Sequence, residues 1–110
     1  MSTSGSGEIL IGLVNAAEGR EEEFDDWYSN THIPEILAIE GFVSAQRYVN
    51  ATDDPASGPY RYATVYEVDG SAVEARTRLF GAGLASSPAM DATGMVFLAA
   101  FTPRGGRIRG

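Results

Sequence analysis

Apolar residues in this chain follow two different rhythms, and the switches between them set the expected fold. Ile9 to Val14 (ILIGLV) is a short run of apolar residues without polar alternation, the pattern of a strand covered on both faces. Gly12 is a small residue in its middle, where a neighbour can approach closely. From Arg20 to Thr31 the period lengthens. Phe24, Trp27, Tyr28 and Thr31 recur at i, i+3, i+4 and i+7, which marks one face of a helix. Glu21, Glu22 and Glu23 crowd its first turn, where the helix dipole favours carboxylates. Asp25 and Asp26 continue an acidic outer face that reads first as solvated. Pro34 disfavours helix for the residue before it, so this helix is predicted to end near His32, with Pro34 opening a short segment to Ile39.

Gly41 then releases a strand from Phe42 to Val49. Strict alternation puts Phe42, Ser44, Gln46 and Tyr48 on one face and Val43, Ala45, Arg47 and Val49 on the other. The loop from Asn50 to Pro59 is dense in turn formers and long for a hairpin. The next strand, Tyr60 to Val68, sets Tyr60, Tyr62, Thr64, Tyr66 and Val68 against Arg61, Ala63, Val65 and Glu67. Ser71 and Glu74 match a capping box for a second helix over about Ala72 to Phe80, with Val73, Leu79 and Phe80 as a thin apolar stripe. The segment from there to Pro88 reads as irregular and mobile, a lid or pocket rim. Met95 to Phe101 is a fourth strand, closed by Pro103.

The order strand, helix, strand, strand, helix, strand is the split βαβ of the ferredoxin-like α+β fold, with helices on one face of a four-stranded antiparallel sheet. Strands one and four are apolar on both faces, so the uncovered face also needs burial. The simplest cover is a second copy of the sheet, giving a two-fold homodimer. Residues 8–103 are expected to form this single domain, preceded by a flexible leader (1–7) and followed by a basic, glycine-rich tail (104–110).

Composition narrows the function. A chain of 110 residues with 44% hydrophobic and 21% charged residues has an ordinary globular balance. It has no cysteine and one histidine, which excludes disulfides and thiol catalysis and leaves only carboxylates for a metal site, so no metal is expected. The net charge is −7, and three of the eight basic residues (Arg104, Arg107 and Arg109) lie in the tail. The acidic body argues against nucleic acid and anionic membrane surfaces as partners. The leader has no basic and apolar regions of a signal peptide, and the lack of cysteine fits a cytoplasmic protein.

His32 is the first candidate for chemistry, because imidazole exchanges protons near neutral pH. It reads equally as a helix-end histidine bonded to a carbonyl. Trp27 and Tyr28 read first as core residues, since aromatics at helical spacing pack; Tyr28 is also a site candidate, one turn from His32 and carrying a hydroxyl. Tyr48 and Tyr66 are candidate pocket residues able to hydrogen-bond a phenol or enol, or else fillers between subunits. Arg47, in a strand among apolar neighbours, needs a partner, either a carboxylate such as Glu67 or an anionic substrate group. Glu35 most simply assists the start of the short helix. No serine–histidine–acid pattern and no phosphate loop is present, so no nicotinamide, flavin or nucleotide cofactor is expected.

The stretch WYSNTHIPEILAIEGFVSAQRY, followed by YRYATVYEVDG, resembles the EthD-like branch of the dimeric α+β barrel superfamily. The phrase W-Y-x-x-x-H-x-P-E followed by G-F carries that resemblance, and the element order extends it over about residues 8–103. The resemblance implies a small-molecule pocket between sheet and helices in each subunit of a homodimer, with the motif histidine at His32. Relatives of this kind include isomerases, polyketide cyclases, cofactor-independent monooxygenases, haem peroxidases and proteins without an assigned reaction. The expected function is therefore a cofactor-independent isomerase, cyclase or lyase acting by proton transfer on an aromatic, lactone or polyketide-like substrate. His32 would be catalytic, and Trp27, Tyr28, Arg47, Tyr48 and Tyr66 would bind the substrate. The alternatives are a cofactor-free monooxygenase on an electron-rich phenol and a non-catalytic ligand-binding protein.

Overall fold

A computed structural model describes residues 7–91 and 97–110. Nearly all of the expected leader, and Met95 and Val96 of the expected fourth strand, lie outside the described residues. Four antiparallel strands, β1 (Ile9–Val14), β2 (Phe42–Val49), β3 (Tyr62–Val68) and β4 (Phe97–Phe101), form one sheet in the order β2-β3-β1-β4. The run without polar alternation, β1, takes an inner position, paired on both edges and with apolar residues on both faces. With its helices on one side, this is the ferredoxin-like α+β fold.

The first helical layer departs from expectation in an informative way. The chain does not break before Pro34. Helix α1 (Glu21–Trp27) passes into a five-residue π-helical segment (Tyr28–His32) and then into α2 (Ile33–Leu37), and Ile33 keeps helical dihedrals of φ −62° and ψ −46°. Pro34 lacks an N–H and crowds the preceding turn. A wider π turn just before it relieves that crowding without ending the helix. The rod gives way to β2 at Gly41, whose φ is +98°. The backbone calls for glycine there, and a Cβ would also displace the Arg78 guanidinium, which would lie 2.5 Å away.

A register shift between Phe42 and Ser44 interrupts the alternation in β2. Past it, Ala45 and Arg47 stand opposite Tyr66 and Thr64, while Ser44, Gln46 and Tyr48 take the other face. Phe42 is buried in the helix-side core with Tyr66 and Val68. The expected grouping of Phe42 with Ser44, Gln46 and Tyr48 is therefore corrected: the extra residue of the bulge swings Phe42 across the sheet. In β3 the alternation holds, with Tyr62, Thr64, Tyr66 and Val68 all buried; Tyr60 precedes the strand.

Helix α3 (Ala72–Gly81) is capped as the sequence indicates, the Ser71 hydroxyl accepting the Glu74 N–H at 3.2 Å. Its inward face is different from the one expected. Ala72 and Ala75 are fully buried and Leu79 partly so, whereas Val73 and Phe80 are each 62% exposed. Small residues at i and i+3, with Leu79 at i+7, let the helix lie close on the sheet, and that spacing outweighs the larger but misplaced apolar side chains.

The core has two parts. Leu10, Ile36, Phe42, Tyr66, Val68, Ala72 and Ala75 make one cluster. Val14, Phe24, Tyr28, Tyr62 and Ala89 make the other, which is mostly aromatic. The irregular segment after α3 is anchored at its far end and is not a free-standing lid: Ala89 is fully buried, its carbonyl accepts the Ala17 N–H at 2.6 Å, and the Asp91 N–H donates to Asn15. On the opposite face of the sheet Ile9, Ile11, Leu13, Val65, Phe97 and Phe101 form an apolar surface, and among the described residues no helix covers it. Among the described residues no helix is long and apolar enough to cross a membrane.

Candidate functional site

A cavity of about 250 Å³ lies between the sheet and the helices, with Gly12, Tyr28, His32, Tyr66, Leu84 and Leu98 among its lining residues. Gly12 admits it. A Cβ at that position would sit 3.6 Å from Leu98 and 3.8 Å from Tyr66, so a longer side chain would project among them.

The polar atoms of the cavity come from the π-helical turn and the strand beneath it. Tyr28 and His32 bound that turn, which lets both side chains reach the cavity. Tyr28 and Tyr66 are buried and their hydroxyls lie 3.2 Å apart. Thr64, two residues before Tyr66 on the same face of β3, lies beside this pair. One phenol donates to the other, so one phenolic hydrogen of the pair remains for a further acceptor. Burial pushes the Tyr66 phenol well above the ordinary tyrosine range, with Tyr28 adding to the effect, so Tyr66 acts as a neutral donor and not as a phenolate.

His32 stacks on Trp27, ring centroids 4.6 Å apart and planes 20° from parallel, and meets Tyr28 edge-on at 5.0 Å. Its Nδ1 is buried and has no hydrogen-bond partner, contrary to a histidine tied to a carbonyl through that atom. Burial holds its pKa below the ordinary histidine value, opposed in part by the Glu35 carboxylate. The imidazole is therefore mostly neutral at neutral pH, with one nitrogen uncommitted.

Arg47 sits behind this wall. Its guanidinium donates to Ser29 Oγ and Asp25 Oδ1, both at 2.9 Å, and lies against the Phe24, Tyr28 and Tyr62 rings at 5.6, 5.0 and 5.5 Å. The partner is thus Asp25 and not Glu67, which is on the opposite face and accepts from Ser44. Of the six residues singled out from sequence, the structure brings Tyr28, His32 and Tyr66 to the cavity and sets Trp27 and Arg47 one layer behind them. Tyr48 points to the other face, 54% exposed, and does not reach this cavity. The sequence reading missed Ile36, Leu79, Met90 and Leu98 as lining residues, whereas Gly83 and Leu84 fall in the segment read as a pocket rim. Gly12 also carried a signal, as a small residue inside an apolar strand.

Fold and site together define a ferredoxin-like α+β protein with an apolar cavity ending in two phenols and an imidazole. No protein-family model matches the chain, and no curated protein matches it in sequence. Solved structures match its fold. The heme-degrader MhuD from Mycobacterium tuberculosis, with two hemes bound in its active site, is 17% identical with a TM-score of 0.58, over 91% of this chain and 98% of that one. An MhuD mutant with two manganese protoporphyrin IX bound per active site is also 17% identical, with a TM-score of 0.55, over 94% and 99%. At such identity the likeness shows the fold alone.

The residues present do not fit a haem. No basic side chain lines the cavity to meet propionates.

Proposed function

We propose that this protein is a small-molecule enzyme that moves a proton with His32 and needs no cofactor. The observation that carries this is a mostly neutral imidazole in the wall of an apolar cavity, beside two phenols. The Tyr28 hydroxyl donates to a carbonyl or enol oxygen of the substrate, and that bond strengthens as negative charge develops there. His32 takes a proton from the adjacent carbon or hydroxyl and returns it elsewhere on the same molecule, which makes an isomerisation, cyclisation or elimination. Low dielectric around the site strengthens both interactions. The EthD-like motif from Trp27 to Phe42 supports the placement of the acid/base at His32.

The same motif supports a homodimer. We propose that the apolar open face, with Phe97 and Phe101 at 39% and 44% exposure, packs on its own copy; light scattering should report twice the chain mass, and a clean monomer removes this proposal. A second functional reading, a cofactor-free monooxygenase on an electron-rich phenol, draws on the phenol-lined cavity and differs by consuming oxygen. A third is a binding protein that leaves its ligand unchanged.

The test is deuterium exchange of a neutral bicyclic ketone, 2-tetralone, in D2O, followed by NMR of the ketone. Enzyme-dependent exchange that falls by about 10²–10⁴-fold in His32→Gln supports the proton-transfer reading. Binding without exchange above the buffer rate favours the binding protein. An oxygen electrode with a hydroquinone in place of the ketone separates the monooxygenase.

A further inference from the structure

The cavity has a property beyond its acid/base group: nothing charged faces it. Among its lining residues there is no aspartate, glutamate, lysine or arginine. The residues between Asp91 and Phe97 are Ala92, Thr93, Gly94, Met95 and Val96, which bring no ionisable side chain from that stretch. Two arginines that touch lining residues are already engaged. Arg47 is paired with Asp25 behind the Tyr28 ring. Arg76 donates to the Leu98 carbonyl at 2.8 Å and lies 4.7 Å from the centre of the Phe80 ring.

We infer that the cavity takes an uncharged ligand of one substituted ring or two fused rings, held by a single hydroxyl or carbonyl at the Tyr28–Tyr66–His32 end, and rejects carboxylates and phosphates of the same size. This rests on the proposed site and narrows its substrate class. Size follows from volume: about 150 Å³ accommodates benzene, and this cavity has about 250 Å³. Neutrality follows from desolvation. A carboxylate entering an apolar cavity loses its water, and a neutral imidazole with two neutral phenols returns no opposite charge. Position follows from the Tyr28 and Tyr66 hydroxyls at one end of the cavity, which share one hydrogen bond and leave one hydrogen for the ligand. Among the substrates that the EthD-like resemblance suggests, lactone acids drop out and neutral ketones and phenols remain.

The probes are 2-naphthol, 2-naphthoate and naphthalene, titrated into the full chain at pH 7.5 and followed by amide NMR at Gly12 and Gly83, both of which line the cavity. The expected result is binding of 2-naphthol at these amides with a Kd at least about tenfold below that of 2-naphthoate. Tyr28→Phe should weaken 2-naphthol by about tenfold and leave naphthalene unchanged, because only the former bonds to the lost hydroxyl. Equal or tighter binding of 2-naphthoate at these amides overturns the inference and leaves the site standing. Equal weakening of 2-naphthol and naphthalene in Tyr28→Phe overturns the assignment of the polar end. If no probe shifts Gly12 or Gly83 up to its solubility limit, the cavity is not a binding site and both readings fall. Selective 2-naphthol binding with no exchange of 2-tetralone preserves this inference while the catalytic reading fails.

Discussion

The two helical coverings of the sheet are built by opposite rules. Helix α3 is regular and serine-capped, and it closes on the sheet by approach, with Ala72 and Ala75 buried against it. The rod from Glu21 to Leu37 has no side-chain cap at its start, widens into a π turn, and fills its space with Phe24, Trp27 and Tyr28. The cavity lies between the two. Its polar atoms come from the irregular rod and from Tyr66 below, whereas α3 contributes Leu79 and Phe80. A regular helix satisfies its own backbone and packs small. A helix with a widened turn re-aims side chains, and here that leaves an imidazole nitrogen without a partner. Single π turns are rare and concentrate at functional sites for this reason.

The contrast can be broken most severely at its aromatic support. Phe24 is fully buried and touches Trp27, Tyr28 and Tyr62, so Phe24→Ala should cost about 3–5 kcal/mol in urea unfolding. A loss near that of an exposed site would mean the rod is not held by its aromatics. Next comes Arg47→Met, which keeps the stem and removes the bonds to Ser29 and Asp25 with the ring contacts. A cost of about 1–3 kcal/mol is expected, along with shifts in the amide signals from Tyr28 to His32; a destabilised protein with those signals unmoved would show that Arg47 does not hold the π turn. The regular helix answers to a smaller change. Ser71→Ala should lower stability by about 1 kcal/mol and leave 2-naphthol affinity unaltered, since the cap is outside the cavity; a matching loss of affinity would join the two coverings that the structure keeps apart.

The smallest effect concerns His32 and pH. Its folded-state pKa lies below 6.5 because burial disfavours the imidazolium. Below about pH 6.5 the unfolded chain binds a proton that the folded chain resists, so this residue subtracts stability as pH falls from there to the folded pKa, and nothing above that window. The stability of His32→Gln should therefore fall less than that of the parent on lowering the pH from 7.5 toward 5.5. Parallel curves from two-state melts would place His32 in solvent. For the reaction, the same shift predicts activity that rises with pH through a midpoint below 6.5.

Much of this architecture was legible in the chain. Element order and the unalternating β1 run lead to the ferredoxin-like sheet, and the spacing of Phe24, Trp27 and Tyr28 marks the buried face of the rod. Three features were not, each for a physical reason. Proline before a helix reads as a boundary because local sterics are all a sequence shows, whereas a π turn stabilised by tertiary packing absorbs the clash. The bulge at Phe42 has no residue signature, yet one extra residue reverses every face assignment before it. Arg47 was matched to the wrong acid because that reversal, and the distance along the chain to Asp25, hide which face each one shares. Of the site, Tyr28, His32 and Tyr66 were visible as polar groups within apolar patterns. The aliphatic walls from Ile36, Leu79 and Leu98 were not, because a cavity is defined by what several separate segments leave unfilled.

Trp27 is the chain's only tryptophan, and its indole is stacked on the only histidine at 4.6 Å. Indole emission therefore arises from a single position in contact with the candidate base. An imidazolium on the indole face accepts charge from the excited state and dims it, whereas a neutral imidazole does so far less. The chain thus carries its own optical readout, in which a pH series of emission intensity traces the charge on His32 and a ligand that repositions the imidazole changes the signal without any label.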